Sequence, residues 1–109
     1  MKEIKAKLIS QVSYERLELG KHIPFSTPLV VYVEPSGYCN LKCKFCVQRT
    51  DGKKLKKDLM PVDLFKKMID DISAFPGKIK LLRVCGNGDP LMNKDIIKMM
   101  QYAKKKNNV

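Results

Sequence analysis

Two apolar runs limit what this chain can fold into more than any other feature. Leu29-Val30-Val31-Tyr32-Val33 is continuously apolar and rich in β-branched residues, and Ile79 to Cys85 is nearly so, broken by Lys80 and Arg83. A half-solvated strand alternates polar and apolar residues, whereas runs like these suit strands covered on both faces, as in parallel sheets. Between them lies a helical pattern. Met60-Pro61 opens it, with proline near the first turn and Asp63 near the positive helix end. Phe65, Met68, Ile69 and Ile72 follow at i, i+3, i+4 and i+7, and Pro76-Gly77 closes the segment. That stripe, Met68 included, reads as core packing. A third helix follows the second run, capped by Asn93, with Asp95 in its first turn and Ile96, Met100 and Ala103 on one face. Lys104-Lys105-Lys106 sits at its negative end. Asn107-Asn108 reads as a turn, and Val109 as the start of another strand.

The order strand, helix, strand, helix predicts an α/β fold with parallel pairing and a right-handed crossover. In such a sheet the loops leaving the carboxyl ends of the strands emerge on one side, and ligands bind there. The loop after the first run reads Cys39-Asn40-Leu41-Lys42-Cys43-Lys44-Phe45-Cys46, and the turn after the second reads Gly86-Asn87-Gly88-Asp89-Pro90. Both therefore face one crevice. The CxxxCxxC spacing lets a single loop aim three thiolates at one point. A structural zinc site wants four protein ligands, and an ordinary 4Fe-4S cluster likewise wants four thiolates. Here three converge locally. The candidates for a fourth are Cys85 and the lone histidine, His22, and neither has a local pairing partner. Three sulfurs suggest an iron–sulfur cluster with one iron left open, able to take a ligand as an open zinc site takes water. Cys85 reads as a core residue, since free cysteine is among the most often buried types. His22 reads as a solvent-facing loop residue. Asp before Pro commonly starts a turn, so Asp89 reads equally as a turn or cap carboxylate.

These residues resemble the radical SAM superfamily, in which CxxxCxxC holds a 4Fe-4S cluster and S-adenosylmethionine chelates the fourth iron. The resemblance implies that Cys39, Cys43 and Cys46 are cluster ligands. It also implies that Phe45, the aromatic just before the third cysteine, lies beside the adenine of the cofactor; the alternative for Phe45 is packing behind the cluster. The family's glycine-rich motif after the second strand corresponds to Gly86, Asn87, Gly88 and Asp89, with aspartate standing where the family usually has glutamate. Glycine lets backbone approach a ligand where a Cβ would collide, and the resemblance places the amides and carbonyls of this turn at the methionine amino group of the cofactor. The implied reaction is transfer of one electron from the reduced cluster to the sulfonium, giving methionine and a 5′-deoxyadenosyl radical that removes hydrogen from a substrate. No catalytic side chain beyond the cluster is implied. A reductant such as flavodoxin or ferredoxin is. Cys39 to Cys46, Leu59 to Phe65 and Gly86 to Asp95 together are most similar to the subgroup carrying an auxiliary-cluster (SPASM or twitch) domain, populated by peptide-modifying and cofactor-building enzymes.

The family fold is a partial (βα)6 barrel, of which the sequence holds the first two βα units. Residues 1–28 read as a leader, an amphipathic helix from about Lys2 to Leu19 with Ile4, Leu8 and Val12 on one face, followed by a Pro-rich linker. Residues 29–109 read as an incomplete radical SAM core, leaving one sheet edge open and much of the core unmade. The expected reading is the amino-terminal part of a larger enzyme completed by the rest of the barrel. The other reading is a small protein completed by a partner.

With 109 residues, 44% apolar and 30% charged, the chain is globular in composition and holds at most one domain. Its longest strongly apolar stretch is far too short to span a bilayer, and Met1 to Lys7 opens no signal core. A cytoplasmic location with no membrane partner is the expectation, and clustered cysteines there are metal ligands more often than disulfides. The net charge is +11, and residues 42–57 hold seven basic side chains against one acid, Asp51. Such a patch attracts nucleic acid or acidic partners. No aromatic interleaving marks a single-strand platform, so a solvated loop is the plainer reading and RNA binding a side hypothesis. On the residues alone, a non-catalytic iron–sulfur or metal-binding module and a basic RNA-binding module stay open beside the enzyme.

Overall fold

In a computed structural model, residues 18–106 and 109 are described. The expected leader helix, apart from its last two residues, and the Asn107-Asn108 turn lie outside the described residues. Two strands, β1 (Val30–Val33) and β2 (Leu81–Val84), pair in parallel, with Val30 opposite Leu81 and Val33 opposite Val84. Among the described residues three helices complete the framework: α1 (Val47–Thr50), α2 (Val62–Ser73) and α3 (Ile96–Lys104). Short 3-10 turns occupy Leu19–Lys21 and Pro90–Met92, and the Ile23–Pro24 peptide is cis. The α/β class and the parallel pairing match the sequence expectation.

The helix pattern is realised where burial enforces it. Pro61 takes the N-cap position of α2, Asp63 lies in its first turn, and Phe65, Ile69 and Ile72 are buried, with Met68 half-buried against them. Together with Val33, Ile79, Ile96, Met99 and Ala103 these side chains make the core between the sheet and the two long helices. On α3 the buried stripe runs through Met99, and Met100 is exposed. Met100 therefore does not share the inward face assigned to it: at 3.6 residues per turn positions 99 and 100 flank the direction of Ile96 and Ala103 symmetrically, and the packing takes Met99.

The strands depart from expectation in a second respect. Both were read as covered on two faces, yet β1 alternates, with Val30 and Tyr32 exposed, Val31 half-buried and Val33 buried. One face packs on the core, and the other carries the exposed side chains of Val30, Tyr32 and Leu81. There Tyr32 stands opposite Arg83, whose guanidinium lies 5.5 Å from the ring centroid.

Candidate metal and cofactor site

The carboxyl ends of β1 and β2 carry the two motifs side by side, and hydrogen bonds show why. Glu34, the residue after β1, accepts from the amides of Asn87 and Gly88, the latter at 2.9 Å. The Asp89 amide donates to the Tyr38 carbonyl at 2.8 Å, immediately ahead of Cys39. Approach is so close at Gly88 that an added Cβ would lie 1.8 Å from the Ser36 carbonyl oxygen and 2.8 Å from that of Tyr38. Only glycine fits.

A second set of bonds anchors the root of the cysteine loop from the opposite side. Residues 58–60 fold back along 35–37: Gly37 donates to the Asp58 carbonyl (2.8 Å), Met60 to that of Pro35 (2.9 Å), and Ser36 bridges Leu59. Ser36 is buried, and its hydroxyl bonds both the amide and the carbonyl of Tyr38. A Cβ on Gly37 would meet the Lys56 carbonyl at 2.2 Å, so this crossing also demands glycine. Asn93 locks the layers together. Its buried amide nitrogen donates to the carbonyls of Pro35 (2.9 Å) and Met60 (3.0 Å), while its oxygen accepts from Asp95. Asn93 therefore does not stand at the N-cap of α3, as the sequence suggested; Asp95 does, and no side chain caps it. The amide is drawn away because two buried carbonyls need a donor.

The cysteine loop itself is irregular backbone from Tyr38 to Phe45. It ends where Cys46 takes the N-cap position of α1, its carbonyl accepting from Arg49 at 2.9 Å, and Arg49 reaches back to the Lys42 carbonyl at 3.4 Å. All four cysteines are free; Cys39 and Cys46 are half-buried, Cys43 and Cys85 exposed. Cys85 is thus not the core residue it was read as, because at the end of β2 it has already left the face covered by α2 and α3. Among the described residues no group of three His, Cys, Asp or Glu side chains is arranged to hold a metal ion, so the thiols do not converge on one point as the spacing suggested. The loop between the cysteines is tied down mainly at its two ends, and spacing alone does not aim side chains. A four-iron cluster, unlike a single ion, takes each thiolate on its own iron. The donor set fits such a group: three unpaired thiols on eight residues, each at least partly accessible, with no competing oxygen or imidazole ligand among them.

Around the site, 92% of the Phe45 surface is accessible, so this ring is not packed behind the loop. The Asn87 and Gly88 amides are taken by Glu34, which removes them as donors to a ligand; the carbonyls of the turn are the groups left to play that part. Asp89 accepts from the Leu91 amide at 2.9 Å, capping the turn at Pro90–Met92. The capping role of the Asp89 carboxylate is therefore the one the structure displays. Sequence reading missed Glu34, Ser36 and Gly37, and gave Asn93 a capping role in place of this one. Of these, an acidic residue one step past an apolar strand, opposite a Gly-x-Gly turn, carried a usable signal: paired backbone amides seek an anion.

Lysines crowd the segment that follows. Lys54 pairs with Asp51 (3.0 Å) and Lys56 with Asp58 (3.1 Å), and the latter bond, helped by the Leu59 amide, holds the Asp58 carboxyl below its usual range. Lys57 donates to the Gln48 amide oxygen, whose nitrogen donates to the Gly37 carbonyl at 3.0 Å. His22 is exposed, as expected. No helix among the described residues is long and apolar enough to cross a membrane.

Residues 33–109 match the sequence model of the radical SAM superfamily. Over 76 residues the chain is 30% identical to a protein of Pyrococcus furiosus named as the tungsten-containing aldehyde ferredoxin oxidoreductase cofactor-modifying protein. That match covers 70% of this chain and 20% of the relative, so the chain spans about a fifth of the relative's length. No solved structure matches the chain significantly.

Proposed function

The chain belongs to the radical SAM superfamily, and we propose that it supplies the cluster-binding part of an enzyme that cleaves S-adenosylmethionine reductively. The superfamily uses a 4Fe-4S cluster and S-adenosylmethionine. Together these supply one-electron cleavage of the sulfonium to methionine and a 5′-deoxyadenosyl radical, which takes hydrogen from a substrate. Cys39, Cys43 and Cys46 are the ligands in this reading. Lys42 and Lys44, on the same loop, offset part of the negative charge that three thiolates bring. The carbonyls of Gly86 to Gly88 receive the cofactor's amino group, Phe45 lies against its adenine, and Glu34 holds the turn in place by binding its amides. Asp89 keeps the turn's exit folded.

The observation carrying this reading is the fastening of the Gly86 to Asp89 turn to the root of the cysteine loop, through Glu34, Ser36 and Tyr38. No observation of this kind favours a non-catalytic module with Cys85 as fourth ligand, a residue that stands exposed at the end of β2. The relative's name concerns modification of a cofactor; a modifying or building reaction on a cofactor or peptide is the substrate class we assign to the whole protein. Substrate choice then rests on segments beyond these two βα units.

The test is anaerobic reconstitution with iron and sulfide, then S-adenosylmethionine and reductant. Cluster absorbance should form, vanish in Cys43→Ser and survive in Cys85→Ser, and 5′-deoxyadenosine should accumulate. Folded protein that takes up no cluster would sink the proposal.

A further inference from the structure

The sheet face turned away from the core carries one cation, Arg83, among apolar and aromatic neighbours. Strand alternation puts Val30 and Tyr32 of β1 on that face, and their register partners Leu81 and Arg83 of β2 beside them. Val30, Tyr32 and Leu81 are exposed, and Arg83 is half-buried with its guanidinium over the Tyr32 ring. That guanidinium forms no ion pair or hydrogen bond with any of the described residues. Glu34, two residues beyond Tyr32, directs its carboxylate at the Asn87 and Gly88 amides instead. The Tyr32–Arg83 pair therefore stands about 7 Å along the strand from the residue that holds the glycine turn. A guanidinium stacked on a ring keeps its planar edge of N–H donors for a second partner.

An apolar floor with one fixed polar group is the composition of a site for an organic ligand, not of a solvated surface. Resting on the function proposed above, we propose that Arg83, aligned by Tyr32, anchors the substrate by a carboxylate or phosphate group. The substrate class is then an organic oxyanion, with apolar parts that rest on Val30 and Leu81. Charge complementarity carries this choice, since the cation is otherwise unpaired among the described residues. Removal of hydrogen by a radical acts on one C–H bond, which must be held in place, and a bidentate oxyanion pair fixes angle as well as position. The Glu34 carboxylate disfavours a second anion nearer the turn. An anionic substrate is thereby oriented with its charged end on Arg83 and an uncharged part toward the cofactor. Tyr32 is a positioning residue in this arrangement.

Phenyl phosphate and benzoate are the probes, each an apolar ring bearing an oxyanion, and benzamide is the uncharged control. Dissociation constants come from NMR titration of the full chain without cluster, for wild type, Arg83→Gln and Arg83→Lys, with the amide spectrum reporting the fold. Wild type should bind at least one anion, the tighter of the two naming the group, and bind benzamide roughly tenfold more weakly. Arg83→Gln should weaken anion binding roughly tenfold or more and leave benzamide unchanged, and Arg83→Lys should recover only part of the loss. K53Q/K57Q, in the basic segment after the cysteines, should bind like wild type. In the loaded protein, S-adenosylmethionine should leave probe affinity unchanged, and the reduced, paramagnetic cluster should broaden the bound probe's resonances. Equal anion affinity in wild type and Arg83→Gln overturns the proposal, as does a wild type that binds neither anion. If Arg83→Gln does not fold, equal affinity in wild type and Arg83→Lys overturns it in the same way. Displacement of the probe by S-adenosylmethionine overturns it too, by giving Arg83 to the cofactor. Failure of the cluster to load defeats the function proposed above, yet leaves the titrations without cluster to judge Arg83 by themselves.

Discussion

The two ends of the sheet's covered face are held together by different physics. Below, Phe65, Ile69, Ile72 and Met99 are buried and replaceable in kind, since many apolar side chains of similar volume would fill the same space. Above, at the carboxyl ends of β1 and β2, exposed loops are held by a carboxylate on two amides, a buried asparagine on two carbonyls, and two glycines where backbones nearly touch. Each of those residues is specific in identity. The difference teaches that the lower region sets whether the chain folds, whereas the upper region sets whether the cysteine loop and the glycine turn stay in register.

The sharpest break in this comparison comes from truncating the core. Phe65→Ala should cost about 3–5 kcal/mol, read as a lowered urea midpoint, and any protein that remains folded should still take up iron and sulfide. Next comes Gly88→Ala, where the new methyl has backbone on its far side and cannot be accommodated by a rotamer change. A loss of about 1–3 kcal/mol is expected, with binding of S-adenosylmethionine lost out of proportion to stability. If Phe65→Ala and Gly88→Ala scale the two readouts alike, the division between the regions is wrong.

Asn93→Ala probes the seam between them. It leaves the carbonyls of Pro35 and Met60 without their donor, and about 1–3 kcal/mol is the expected cost of such unsatisfied groups. Asn93→Asp should be no better, because a carboxylate cannot donate to a carbonyl. Glu34→Ala is exposed and should change the urea midpoint little. It releases the Asn87 and Gly88 amides, and affinity for S-adenosylmethionine should fall roughly tenfold, as when a group that orients a ligand is removed. Equilibrium dialysis of the loaded protein reads this directly, and Glu34→Gln, which retains one acceptor oxygen, should recover part of it.

Legibility in the sequence follows the same division. The stripe Phe65, Ile69, Ile72 shows in the periodicity because burial acts on residue type, and the parallel order of β1 and β2 follows from the alternation of runs. Met99 was missed in favour of Met100 because two adjacent methionines carry the same hydropathy and lie symmetrically about the direction set by Ile96 and Ala103, so helical phase does not separate them. The cysteine motif was plain as a pattern, but the directions of its thiols were not, since an irregular loop has no period. Glu34 and Asn93 were hidden for a further reason. Their partners are backbone groups more than 30 residues away; for Glu34 only the Gly-x-Gly turn hinted at free amides, and the carbonyls that Asn93 serves leave no mark in a sequence.

The smallest expected effect concerns the outer face of α2 and α3, where Asp70 accepts from the Tyr102 hydroxyl at 2.8 Å and pairs with Lys106 at 2.6 Å. The Lys106 ammonium first, and the Tyr102 hydroxyl second, hold the Asp70 carboxyl below its ordinary value, and Asp70 in turn raises Lys106. A depressed carboxyl stabilises the fold above its unfolded pKa and loses that contribution as the pH falls through its folded value. A raised ammonium stabilises below its unfolded pKa and loses the contribution as the pH rises through its folded value. The link is therefore complete across the neutral range. Asp70→Asn should lower the urea midpoint slightly at pH 7, and the gap from wild type should close below about pH 4, near the ordinary carboxylate value. Solvent screens so exposed a pair, and added salt should narrow the gap at neutral pH as well. A gap that persists in strong acid would mean that Tyr102 and Asp70 are held by packing, which would move this outer face into the class of the buried core.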